Sequence, residues 1–463
     1  MKRRTLQLDP LVQRKLAAPH APLTPSESRE CLISCIKHGK DAAAAASGKR
    51  CVVVLGNTGA GKSAFINLLA GCEFAYEDDD RMVVRADSAV AELMRIGHSN
   101  VSETFAPQVE DASSSLGDGF AFADCPGFLD NRGFEINVAN AVNVAQTVSA
   151  SDSIVCVVVV NYYSLRADRG KGLQDLLAIL LGLFGSVDAV RAHAPSVLFA
   201  ISQAPVAHPE TSKPITLDYL RRTLLNVAGL DEQTAAVLGA LSDANAVFLY
   251  HLLGRGDPSW LQRDAILDRL RALPPVGSPS SLFQSVLNSE DKERLRGLVA
   301  ALGQELRAHL ASGTPAGFAA AAQLVADLLE LRIIEHGFVG AVVEQEVETA
   351  VQERLAAAVA TADALFVDGG LEDGEDDDAA VLDARLEEAR AALKGVHAML
   401  AAFESVDVVR EQLQPLLTEA AAAVAEKLAS AERRRAEACG RRDMAVRLQE
   451  ALRDVGAHAL GPA

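Results

Sequence analysis

The chain has 463 residues, 49% of them hydrophobic, which is enough for a sizeable core and excludes a disordered protein. Its formal net charge of -18 argues against a nucleic-acid surface, and its seven cysteines lack paired Cys/His ligand spacing and suit reduced thiols. No apolar run approaches the roughly 18 residues of a membrane span, so membrane association is not evident and a cytoplasmic protein of two or three domains is expected.

Residues 1–23 open with "MKRRTLQLDP", basic but without an apolar h-region, and read as a leader. A transit segment there stays an open reading, weakened by Asp9 and the lack of serine. Thr24, Pro25 and Glu27 then supply an N-cap, a first-turn proline and a capping-box glutamate. The helix they start should run toward Ile36 with Cys31 and Cys35 on one face, completing an N-terminal leader-and-helix segment over 1–47.

Cys51 to Leu55 is a short apolar strand, and Phe65 to Leu69 has helical character ending before Gly71. Between them Gly56, Asn57, Thr58, Gly59, Ala60, Gly61, Lys62 and Ser63 match G-x-x-x-x-G-K-[ST], a loop whose backbone N–H groups converge on phosphate oxygens at a helix start. With Ala64 in the same turn, these residues are the expected nucleotide-phosphate site. Lys62 would reach the β/γ-phosphates and Ser63 would ligate Mg²⁺.

Further apolar runs at Phe120–Ala123, Ile154–Val160, Val197–Ile201 and Val247–Tyr250 alternate with helical stretches. This predicts an α/β fold, a three-layer domain with a mainly parallel sheet over residues 48–275. Residues 281–366 turn to alanine-rich amphipathic helix. The stretch 367–380, "VDGGLEDGEDDDAA", reads as an acidic, solvated linker. Within 381–463, Leu382, Leu386, Ala389, Leu393, Val396, Leu400 and Phe403 fall at alternating four- and three-residue steps before Pro415, the pattern of a coiled coil or a local helical hairpin.

Asp124 closes the second apolar run and starts "DCPGFLDNRG", placing a D-x-x-G after the glycine loop. The carboxylate could fix Mg²⁺ through water, and Gly127 could sense a γ-phosphate through its N–H because nothing projects from its Cα. In these two motifs the sequence resembles the translation-factor-related class of P-loop GTPases, and within it the septin-like and immunity-associated branch, over about residues 50–275. The resemblance implies a G domain that binds GTP/GDP with Mg²⁺, and a switch threonine between the motifs that reaches Mg²⁺ and the γ-phosphate. Thr104 in "IGHSNVSETFAP" is the choice for it, with Ser102 second. Lys62, Thr104 and Gly127 are then the catalytic candidates, and Ser63, Thr104 and Asp124 the metal ligands.

Two departures from the family matter. Phe128 stands where a water-positioning glutamine is kept in Ras-like relatives, so slow intrinsic hydrolysis is expected, with Arg132, Arg166 and Arg169 as candidate arginines in cis and a homodimer through the G domain or helical tail as the other source of help. The guanine-reading [NT]-K-x-D is replaced by Ser202, Gln203, Ala204 and Pro205. Gln203 could pack its stem on the base, Asp257 could approach from the next loop, and Trp260 could wall the base or fill the core. Guanine over adenine therefore rests on resemblance alone. The histidines His98, His193, His208 and His251 lack metal spacing, Asp78 to Asp80 read as a solvated turn, and Cys125 as a buried filler. The expected function is a slow, Mg²⁺-dependent GTPase switch; the alternative is a non-hydrolysing scaffold whose helices bind partner proteins.

Overall fold

Apolar residues dominate five segments that cannot be solvated on either side, and these form the centre of the sheet. A computed structural model describes residues 9–77, 81–97, 106–127, 133–166, 170–225, 227, 229–242, 246–256, 258–281, 287, 289–334 and 336–367, with isolated positions between 387 and 433. In chain order, α1 (Pro10–Ala17) and α2 (Pro25–Ala46) precede β1 (Arg50–Leu55), α3 (Lys62–Ala70), the hairpin β2 (Phe74–Tyr76) and β3 (Met82–Val84), and β4 (Gln108–Asp111). After α4 (Ser113–Leu116) come β5 (Phe120–Asp124), α5 (Phe134–Ala150), β6 (Ser153–Asn161), α6 (Tyr162–Arg166), α7 (Lys171–Phe184), α8 (Val187–His193) and β7 (Val197–Ser202). Then follow α9 (Leu217–Leu225), α10 (Glu232–Leu241), β8 (Val247–Leu249), α11 (Arg263–Ala272), β9 (Val276–Gly277), α12 (Ser289–Ala311), α13 (Pro315–Glu330) and α14 (His336–Val367).

The main sheet is mixed but mostly parallel, in the order β4-β5-β1-β6-β7-β8, with β4 antiparallel on β5 and β9 antiparallel on β6. The period-2 alternation of a strand sends Val52 and Val54 of β1 to one face with Phe65, Ile66 and Leu69 of α3 and Ile266 of α11. Cys51, Val53 and Leu55 face the other way, toward Val144 of α5, Leu177 of α7 and Val237 of α10. Helices cover both faces, which is why the strands are apolar throughout.

The N-terminal helices differ from the sequence expectation. α2 runs 22 residues, well past Ile36, because the alanine tract Ala42–Ala46 continues it at little cost. The expected capping box is present: Thr24 Oγ1 accepts from Glu27 N at 3.2 Å, and Glu27 Oε2 accepts from Thr24 N at 3.0 Å. The leader is not structureless either, since Asp9 caps α1, with Pro10 at its first position. α2 lies close against α5. A Cβ on Gly39 would stand 2.1 Å from Asn143 Cγ, and Asn143 Nδ2 donates to Cys35 O at 3.2 Å.

Contacts divide the chain into two compact units, residues 1–297 with 333–336, and 298–332 with 337–463. The first holds the sheet and reaches beyond the expected boundary at 275. The second is helical in its described part, with Leu302, Leu306, Phe318, Leu324 and Val343 buried and Arg307 paired to both carboxylate oxygens of Glu346 at 2.6 and 2.7 Å. The acidic stretch from residue 368, Pro415 and most of the expected heptad seam lie outside the described residues; of that seam Phe403 is described, and it is buried. Among the described residues no single helix is long and apolar enough to cross a membrane.

Candidate functional site

At the C-terminal end of the buried strand β1 the chain turns through Gly56–Gly61 and enters α3. Gly61 holds φ at 88°, in the left-handed region, and caps α3 with no side-chain bond to the first-turn amides. A helix start without a side-chain cap offers N–H donors and a positive dipole end to an anion. Lys62 opens the helix and is only 7% exposed. Its ammonium donates to Gly56 O at 3.0 Å and Asn57 O at 3.1 Å, so the cation is drawn across the loop's own carbonyls. Asn57 Nδ2 is tied to Gly172 O at 3.1 Å, and the Ala64 methyl is buried toward Cys72 and Phe74, leaving its backbone as the part that can face a ligand.

The register of the sheet brings the second motif to the first. Val54 of β1 is paired with Asp124 of β5, and from the first turn of α3 Ser63 Oγ donates to Asp124 Oδ2 at 2.7 Å. Asp124 is 1% exposed. A hydroxyl–carboxylate pair, half-buried at Ser63 and buried at Asp124, drawn from positions 61 apart in sequence is the central geometric fact of the site. Gly127 follows, so close to the loop that a Cβ there would fall 2.3 Å from Thr58 Oγ1 and 2.7 Å from Thr58 N. The Thr58 hydroxyl is itself buried and has no hydrogen-bond partner among the described residues.

Gln203 also reaches the loop, although not in the manner expected of a residue that packs on a base. Its backbone is left-handed (φ 54°), and its Nε2 donates to Gly59 O at 2.9 Å while its Oε1 accepts from Asn161 Nδ2 at 2.8 Å. Neighbouring Ser202 donates from Oγ to Ala60 O at 2.6 Å. The ends of β6 and β7 thereby brace the glycine loop from behind. Sequence reasoning passed over Ser202 and Asn161 as braces; the signal available was a polar residue ending each long apolar strand.

The remaining expectations divide. Thr104 and Ser102, Phe128, Arg132, Arg169, Asp257, His98 and Asp78–Asp80 lie outside the described residues. The segment leading toward Thr104 is fixed by buried Asn67 of α3, whose Oδ1 accepts from Leu93 N at 2.8 Å and Met94 N at 2.9 Å. Arg166 Nη1 sits 3.2 Å from His208 Nε2. Trp260 is a core residue whose Nε1 donates to Ile215 O at 2.9 Å. Cys125 is buried, and burial, followed by the Asp124 charge, pushes its thiol far above the ordinary range, as a filler requires.

No protein-family model matches this sequence, and no curated protein does. The chemistry is therefore read from the residues themselves. Among the described residues no cluster of three or more His, Cys, Asp or Glu is placed to hold a metal alone. One hydroxyl and one carboxylate fit a small divalent cation that takes its other ligands from phosphate oxygens and water, the usual demand of Mg²⁺.

Proposed function

We propose that the protein binds a nucleoside triphosphate with Mg²⁺, GTP by the resemblance, and hydrolyses it slowly as a conformational switch on a P-loop-type G domain. The observation that carries this reading is the Ser63–Asp124 contact at 2.7 Å, which joins the two motifs at the start of an uncapped helix. Mg²⁺ when bound would neutralise charge on the β- and γ-phosphates. Ser63 and Asp124 are the residues that would hold it, exchanging their mutual bond for the ion and its water. The amides of Gly59 to Ala64 would cradle the phosphates, and Lys62 would move from the carbonyls of Gly56 and Asn57 to phosphate oxygens. Gly127, resting on Thr58, would present its N–H to the terminal phosphate, and Thr104 is the switch threonine that the resemblance implies.

The test is calorimetric affinity for GTP, GDP and ATP in the presence of Mg²⁺, with turnover at two protein concentrations. Lys62→Ala should weaken triphosphate binding by at least about 100-fold, the scale of a charge-assisted contact of roughly 3 kcal/mol. Equal, weak affinity for all three nucleotides in both proteins would defeat the reading. Preference for ATP would correct the base, and tight binding without turnover at either concentration would leave the scaffold function.

A further inference from the structure

The sheet face that carries Cys51 and Val53 continues to the β8 edge, where Phe199 of β7 and Val247 of β8 share one apolar cluster with Leu224 of α9 and with Leu238 and Leu241 of α10. These five side chains are at most 7% exposed. They do not close on one another, however, and a cavity of about 240 Å³ lies between them. Protein interiors are packed to the density of organic crystals and leave few voids larger than a water molecule. At the roughly 30 Å³ that a water takes up in the liquid, this one has room for about eight non-hydrogen atoms. Water itself is a poor occupant, because it needs roughly two to four polar partners. Two polar side chains, Arg221 and Ser242, complete the described lining, and the Ser242 hydroxyl already donates to Gly239 O at 2.9 Å.

Arg221 of α9 is the second anomaly at the same place. Its side chain is 32% exposed, so the cation marks the mouth of the cavity and the leucines its floor. Its Nε is nevertheless buried and has no hydrogen-bond partner among the described residues. Nη1 stands 3.8 Å from Asp218 Oδ1, an exposed ion pair too long for a hydrogen bond and weak in water. A guanidinium N–H withdrawn from water without an acceptor is costly. An unfilled apolar floor and an unmet donor on the wall therefore lie together, and a single amphipathic anion answers both.

We propose that this cavity binds a linear monocarboxylate with an apolar tail of roughly six to eight carbons, a length set by the room for about eight atoms. The tail lies among Leu224, Leu238, Leu241 and Val247, where it restores the dispersion contacts that a void forfeits. The carboxylate stays at the mouth on Arg221, whose planar fork matches its two oxygens. The site lies beneath α9 and α10, apart from the glycine loop, and does not rest on the nucleotide reading.

Calorimetric titration of the full chain with octanoate, 1-octanol and acetate tests it. Octanoate should bind at least about tenfold more tightly than 1-octanol, the increment of one charge-assisted contact, and acetate, a head without a tail, should give no measurable binding. Arg221→Met keeps an unbranched apolar stem and removes the donors; it should lose that factor of about ten for octanoate and leave 1-octanol unchanged. Leu238→Phe narrows the cavity and should weaken octanoate and 1-octanol alike. No binding of octanoate to the wild-type chain overturns the site. Equal affinities for octanoate and 1-octanol, or an Arg221→Met protein that holds octanoate as tightly as the wild type, overturns the carboxylate recognition. Octanoate binding untouched by Leu238→Phe places the ligand elsewhere and overturns the assignment to this cavity.

Discussion

Gly127 carries no side chain because Thr58 occupies the space one would need. Gly127→Ala should therefore displace the D-x-x-G arm from the loop, costing about 1–3 kcal/mol as an overpacked contact, read by urea unfolding, and weakening triphosphate more than diphosphate affinity. Gln203→Ala should cost about 1 kcal/mol for the bonds to Gly59 O and Asn161, and should lower phosphate affinity without altering the ratio of GTP to ATP; a changed ratio would return Gln203 to a base-reading role. The glycine loop, Lys62, Ser63 and Asp124 were legible in the sequence because fixed spacing after an apolar strand leaves the backbone few alternatives. The bracing by Gln203 and Ser202 was not, since both bonds end on main-chain carbonyls, which every residue possesses. A side chain that recognises a carbonyl leaves no partner to be read.

The strands β1, β5, β6 and β7 were foreseeable as elements because both faces are buried and the apolar runs are continuous. The two antiparallel strands of the main sheet were hidden for other reasons: β4 reads "QVED" and is largely exposed, and β9 is two residues long. α1 carried its own start signal in Asp9-Pro10 but too few apolar residues to stand out from a leader. Its anchor is the buried Lys15–Glu135 pair, Nζ to Oε2 at 2.9 Å, and Glu135→Gln alone should cost about 3–5 kcal/mol by leaving the ammonium buried without its counter-charge. Burial raises the Glu135 carboxyl, yet the Lys15 ammonium and Ser28 hydroxyl together hold it below its ordinary value of 4.5. A depressed carboxyl stabilises the fold in full above that ordinary value and loses its contribution as pH falls through the lower folded one. The stability gap between wild type and Glu135→Gln should thus be constant near neutrality and shrink in acid below about pH 4.5. Unfolding free energies measured at pH 7 and pH 4 decide it, and a gap that widens in acid would contradict the assignment.

At the scale of the whole chain, the sheet-bearing unit does not end where the sheet ends. Arg294 of α12 lies over the Phe134 ring at 4.6 Å, and Asn137 Nδ2 donates to Asp291 Oδ2 at 3.1 Å, so the start of α5 is also gripped from the far side of the sequence. A fragment of residues 1–280 should consequently be less stable than one of 1–311 by at least about 1–2 kcal/mol, the sum of one cation–π contact and one hydrogen bond. Thermal unfolding of the two fragments with matched nucleotide would show it, and equal midpoints would mean that α12 is a passive connector. The sequence placed a boundary near residue 275 because composition changes there, whereas α12 helical patterning looks the same on both sides of Gly297.

The packing of α2 on α5 also has a history within each molecule's synthesis. The bonds between them join residues 107 and 108 positions apart. At a translation rate of roughly 5–20 residues per second, α2 emerges some 5–20 seconds before α5. For that interval the face of α2 bearing Leu32, Ile33 and Ile36 is without α5 to cover it, so the nascent chain offers a holding chaperone an apolar helix.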